Sequence, residues 1–341
     1  MPFSALLRCI GLAMVAGAAS PAFASPFSAV YVFGDSGSDV GNTFIASGGL
    51  NPAPPYFAGH FSNGPTWVED LAQTLGLGPL VPSLQTIGLG PPLPSIQGGV
   101  DYAFGGATTG PAVPGRAPGP PDVVQQVAHF SGLHAGVAPP TGLYAVDIGA
   151  DDISQAITDI LGGSLTVTEA TADLAAAAQD AAGAVHTLAL QGAKTFIVTL
   201  VYDVGKKPFY IGSNTTALAT QFTLSYNADL LADIDALILS DGISVHFVDN
   251  FALTDAEVND PAGFDFTDVT DPCYVGRQTG GGTVCADPNS FLWWDQTHLT
   301  EHGNQVLAAL ALDAIPEPEM MPGFVAGGLL LILLRGRKRN R

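Results

Sequence analysis

Positive charge is what this chain has least of. Of its 341 residues only 11 are Lys or Arg, against 31 Asp or Glu, for a formal net charge of -20. The basic residues also crowd the ends, at Arg8 and at Arg335, Arg337, Lys338, Arg339 and Arg341, leaving the body Arg116, Lys194, Lys206, Lys207 and Arg277. Such a body is repelled by nucleic-acid phosphates and by anionic membrane surfaces, which excludes both as partners. Cysteine is nearly as scarce, with three in all. Cys273 and Cys285 bracket the Gly-rich "CYVGRQTGGGTVC", and no nearby His or second Cys pair completes the four ligands of a zinc site. In an exported chain this pair is expected to be a disulfide closing a short loop. No internal repeat is found, and no metal or organic cofactor is implied.

The chain also lacks an apolar run that crosses a bilayer with ease. Residues 1–24 carry a single basic residue, Arg8, then an apolar run from Cys9 to Ala19 and the close "PAFAS". Ala22 and Ala24 fit the small-residue cleavage pattern of a secretory signal peptide, so the protein is expected to be exported and to begin near Ser25. In the tail, 315–341, the apolar stretch 323–334 falls short of the roughly 20 residues a spanning helix needs, and a basic cluster follows it. With Pro316-Glu317-Pro318 ahead of it, this tail resembles the PEP-CTERM sorting signals of Gram-negative bacteria. That implies a membrane-bound processing enzyme as partner and a periplasmic, cell-surface or secreted destination. A weak anchor that stays in place is the simpler alternative. Between these ends, 25–314 reads as one domain of catalytic size.

Short apolar, β-rich runs recur along it: "AVYVF" (29–33), "LYAVDI" (143–148), "TFIVTL" (195–200) and "ISVHFV" (243–248). Each has the composition of a strand buried on both faces of a parallel sheet. Segments of helical character separate them, at 65–76, 122–133, 168–191, 215–240 and 299–313, so the expected architecture is a layered α/β fold. Two stretches interrupt the alternation, the Pro/Gly-rich 76–121 and the Asp/Gly-rich 250–292, both expected to be long surface excursions.

The chemistry is suggested by "VYVFGDSGSDVGN" (30–42), which puts Ser36 just beyond the first strand. In an open parallel sheet ligands bind past the carboxyl ends of the strands, so the place suits a nucleophile. A hydroxyl attacks only when a base takes its proton, so a base and an orienting acid are required. Of seven histidines, His298 stands out because "DQTH" sets Asp295 three residues before it, a spacing that lets a carboxylate hold Nδ1 and turn Nε2 outward. His302 is the competitor and lacks such an acid. The adjoining "NSFLWWD" could line an apolar acyl site or belong to the core.

"FGDSGSDVGN", "DYAFGGATT" (101–109), "IGADD" (148–152) and "DQTH" (295–298) together resemble, in order, the first, second, third and fifth blocks of the GDSL, or SGNH, hydrolases. "FSNGPTW" (61–67) and "VYDVGKKPFY" (201–210) resemble segments of the lipase-like branch. The resemblance implies a three-layer α/β/α, flavodoxin-like fold with a central parallel sheet, and hydrolysis of small-molecule or lipid carboxylic esters through an acyl-serine. It makes Ser36 the nucleophile, His298 the base and Asp295 the orienting acid. Backbone N–H groups of Ser36 and Gly106 would form the oxyanion hole, with Gly105 as the neighbouring alternative. The third block departs from the pattern: Asp151 stands where the family has an Asn whose amide donates to the oxyanion. An ionised carboxylate only accepts. Asp151 is therefore either protonated, or the hole relies on backbone donors, or the chain is a weakly active or non-catalytic surface protein that keeps the fold.

Overall fold

The computed structural model describes residues 25–92, 98–110 and 119–315, so the segments carrying the export and sorting expectations, 1–24 and 316–341, lie outside the described residues. Six strands make one sheet: β1 (Ala29–Gly34), β2 (Val81–Pro82), β3 (Gly99–Asp101), β4 (Gly142–Asp147), β5 (Thr195–Leu200) and β6 (Ser244–Asp249). Their order is β2-β3-β1-β4-β5-β6 and every pairing is parallel.

Strand alternation explains the three layers. Tyr31, Phe33, Tyr144, Val146, Phe196 and Val198 point to one face, where they meet α4 (Val123–Leu133), α5 (Ala150–Leu161), α6 (Val167–Gln191) and α7 (Thr216–Asp241). The intervening Val30, Val32, Leu143, Ala145 and Ile197 point to the other, against α2 (Trp67–Thr74), α8 (Asn250–Asn259) and α9 (Glu301–Ala314). Both sets are buried, and a large apolar side chain removed from water contributes about 1.5–3 kcal/mol. Two short helices, α1 (Asn42–Ala46) and α3 (Ser83–Thr86), follow β1 and β2.

The four strands and five helices expected from the sequence are present with ends shifted by a residue or two. The two excursions are not mere surface loops. The Pro/Gly-rich 76–121 supplies β2 and β3, strands too short to show any period. There Gly99 adopts φ +132 and a Cβ on it would lie 1.8 Å from the carbonyl oxygen of Val30, so glycine is what lets β3 lie against β1. The second excursion holds α8 and two small sheets, β7 (Asp268–Pro272) paired with β10 (Phe291–Trp293), and the hairpin β8 (Tyr274–Arg277) with β9 (Gly280–Val284). The hairpin is closed by the Cys273–Cys285 disulfide. Leu292, Trp293 and Trp294 are buried, which settles "NSFLWWD" as core.

Several acids are interior. Glu257 of α8 is 2% exposed, and burial pushes its carboxyl up to about 8. A carboxyl held above its unfolded value binds more protons folded than unfolded, so the stability it contributes is present at acid pH and is lost as pH rises through the folded value. Stability should therefore decline between about pH 5 and pH 8. Glu257→Gln is expected to flatten that decline, read from urea midpoints across the range; an unchanged slope would remove Glu257 from the cause.

Candidate active site

The chain leaves β1 toward β3 and later returns to β1's other side as β4. Loops at the carboxyl ends of β1 and β4 therefore diverge and leave a crevice. Ser36 sits in it, two residues past Gly34. The end of β1 is pinned by Gln126 of α4, whose side chain accepts from Gly34 N–H and donates to Gly34 C=O, both at 2.8 Å. Behind the loop, Asp147 at the end of β4 accepts from Ser38 Oγ (2.7 Å), Trp67 Nε1 (3.0 Å) and Thr199 Oγ1 (2.5 Å).

The turn between β10 and α9 brings His298. Asp295 Oδ1 accepts the N–H groups of Thr297 and His298, each at 2.8 Å, and this turn presents the His298 ring to Asp295's own carboxylate. His298 Nδ1 lies 2.7 Å from Asp295 Oδ2, and Nε2 lies 2.9 Å from Ser36 Oγ. Because a carboxylate only accepts, Nδ1 carries the proton and Nε2 is left to accept from the Ser36 hydroxyl. Burial would raise Asp295, yet the His298 charge and the bonds from His298 and Tyr56 outweigh it and hold the carboxyl at about 2. Phe61 packs against the imidazole, ring centres 5.1 Å apart. His302 faces elsewhere, its Nε2 bonded to the Phe264 carbonyl at 2.8 Å.

Across the crevice, Gly105 N–H is already given to Asp39 Oδ2 (2.9 Å) and Thr43 Oγ1 (2.8 Å). Gly106 has φ +80, a left-handed conformation that favours glycine, and lines the same cavity as Ser36. Of the two glycines, Gly106 is thus the one whose N–H is uncommitted among the described residues. Asp151 stands in the first turn of α5, also on this cavity wall. Burial raises its carboxyl, while the charges of Lys207 and His298 pull it down. Ser36 and His298 lie between an outer cavity of about 320 Å³, reaching Asn51, Thr158 and Phe209, and an inner one of about 60 Å³ lined by Trp67, Ile148 and Tyr202.

Residues 30–311 match the family model described as GDSL-like Lipase/Acylhydrolase. The chain belongs to this family. Its relatives include the thermolabile hemolysin of Vibrio parahaemolyticus, 24% identical over 298 residues, 84% of this chain and 63% of that protein. The phosphatidylcholine-sterol acyltransferase of Aeromonas hydrophila is 43% identical over 70 residues, 20% of each chain. The chain spans less than two thirds of the length of these curated relatives. Among solved structures, the acetylxylan esterase Axe2 of Geobacillus stearothermophilus is 15% identical and covers 87% of this chain and 97% of its own, with a TM-score of 0.40, too loose a likeness to argue from.

Three groups at this site had no role in the hydrolase reading of the sequence. Asp39 holds the Gly105 turn, Lys207 shares both cavities with Asp151, and Tyr56 donates its hydroxyl to Asp295 Oδ2 at 2.6 Å. Tyr56 is distant in sequence from "DQTH" and sits in an unpatterned loop, so only the Asp295 spacing was visible. A hydrogen bond to a charged acceptor contributes about 1.5–3 kcal/mol. Tyr56→Phe is accordingly expected to lower kcat on ester substrates on the order of tenfold with little change in KM. Equal kcat in the variant would show that the two backbone bonds alone steady Asp295.

Proposed function

We propose that this chain is a serine esterase or lipase that hydrolyses carboxylic esters through an acyl-serine intermediate. The observation that supports it most is the unbroken chain from Asp295 through His298 to Ser36, at 2.7 and 2.9 Å, with the imidazole in the tautomer that accepts from the hydroxyl. Ser36 Oγ attacks the ester carbon while its proton passes to His298 Nε2. Asp295 stabilises the imidazolium that results. The carbonyl oxygen becomes an oxyanion facing the N–H groups of Ser36 and Gly106, and collapse expels the alcohol, which takes the proton from His298. Water then repeats the sequence on the acyl-serine and regenerates Ser36. No metal or organic cofactor enters these steps. The outer cavity of about 320 Å³ has the size of a small-ligand pocket, and the family relationship supports esters, lipid esters among them, as the substrate class.

Export is part of the same proposal. It is supported by the character of 1–24 and 315–341 and by a disulfide, which persists in oxidising compartments. N-terminal sequencing of protein recovered from the periplasm or cell surface should then begin at or near Ser25.

Ser36→Ala and His298→Ala are each expected to reduce turnover of a short-chain nitrophenyl ester at least about a thousandfold while the far-ultraviolet spectrum is kept, since the two act as one proton-transfer unit. Near-normal rates in either variant would sink the assignment. With its carboxyl held at about 2, Asp295 should add no ionisation of its own to the pH profile above pH 3. An Asp295 carboxyl titrating above pH 3 by NMR would contradict it. Asp151→Asn restores the amide of the family pattern and should hold or raise kcat. A loss across the whole pH range would give the carboxylate a positive role that an amide cannot fill.

A further inference from the structure

Lys207 is a basic residue where the chain can least spare one. It follows the short turn Val204–Lys206 and is 4% exposed, and lysine is almost never so buried without a partner. Its Nζ donates to Ser154 Oγ at 3.0 Å and lies 5.1 Å from the centre of the Tyr210 ring. The Ser154 hydroxyl proton is spent on the Ala150 carbonyl at 2.8 Å, so Ser154 accepts from Lys207 and takes only one of its protons. Ser154 lies one turn along α5 from Asp151. Lys207 and Asp151 both line the inner and the outer cavity, together with Ser36 and His298.

We propose that Lys207 and Asp151 act as one unit, in which the lysine offsets the carboxylate standing at the amide position and the pair provides the hydrogen-bond donor on the α5 side of the oxyanion. This rests on the ester-hydrolase reading above. Burial raises Asp151 and lowers Lys207, so desolvation drives both toward their neutral forms, while the charge of each favours ionisation of the other. Wherever the proton resides, the pair carries no net charge, and Lys207, which lines the cavity, keeps at least one N–H beyond the one given to Ser154. Asp151 alone would repel the developing oxyanion, and Lys207 alone would be an uncompensated buried cation. Asp35 and Asp295 also act on Lys207, but Asp35 is itself raised by burial and by Asp151, and Asp295 is engaged by His298.

The test is a double-mutant cycle of Lys207→Met and Asp151→Asn, read both as kcat and KM on nitrophenyl acetate and as unfolding in urea. Lys207→Met alone is expected to lower kcat at least tenfold with KM within about threefold. In the Asp151→Asn background the same replacement should cost at least fivefold less in kcat, and its unfolding penalty should shrink as well. Equal penalties in both backgrounds would overturn the pair. Coupling in unfolding without coupling in kcat would overturn its role at the oxyanion. Should Lys207→Met fail to fold by itself, the double variant decides: folded and active it supports the unit, and unfolded it overturns it. Failure of the ester-hydrolase reading looks different, because the wild-type protein would then show no Ser36-dependent turnover, while the unfolding cycle would still rule on the pair.

Discussion

The site depends on one buried carboxylate that performs no chemistry. Asp39 is fully buried and accepts four backbone N–H groups, from Gly41 (2.8 Å), Asn42 (2.6 Å), Thr43 (3.1 Å) and Gly105 (2.9 Å). Gly41, Asn42 and Thr43 form the start of α1, which follows β1, and Gly105 belongs to the loop after β3, so a single side chain ties together the segments that leave these two neighbouring strands. Asn42 doubles the tie by donating to the carbonyls of Asp101 and Ala103 at 2.9 and 3.0 Å. Removing a carboxylate from water is costly, and burial does raise Asp39, but charge-assisted bonds to several donors offset that cost only when all are made together. The geometry is consequently all-or-none, which suits a site in which displacement of a donor by an ångström weakens its hold on the reacting oxygen.

The acidity of the chain takes on a different meaning inside. Asp35, Asp39, Asp101 and Asp147 cluster at the carboxyl ends of the central strands, and burial leads the causes that raise the first three. Most of these acids are bound by backbone donors or hydroxyls rather than by cations, because the body has so few cations to give. Lys207 is the one buried lysine among the described residues, and its sharing of the cavity with Asp151 is where the chain's shortage of positive charge and its departure from the family pattern meet.

What the sequence made legible follows from the range of each signal. The long buried strands show as continuous apolar runs and the helices as longer segments between them, and "GDS" and "DQTH" each place the candidate groups within a few residues of a strand end or of each other. Strands β2 and β3 escaped because Val81–Pro82 is held by register with β3, and Gly99–Asp101 by register with β1 and by a glycine that accepts close backbone approach. Helix α5 was hidden by being read as a motif, although Ile153, Ala156 and Ile157 have helical spacing. Tyr56 and Lys207 lie far along the chain from the residues they serve, and no local pattern announces a contact that only the fold creates.

The disulfide-closed hairpin bears on the turn of His298 through backbone hydrogen bonds and packing. Cys273 and Tyr274 donate their N–H groups to the carbonyls of Trp293 and Trp294, and Tyr56, Tyr274 and Trp294 pack as one cluster with both cysteines. Trp294 immediately precedes Asp295, and Tyr56 holds its carboxylate. The turn that carries Asp295 and His298 is thus backed by a hairpin whose two ends an oxidation joins, so the redox state of the surroundings reaches the packing behind the proposed base.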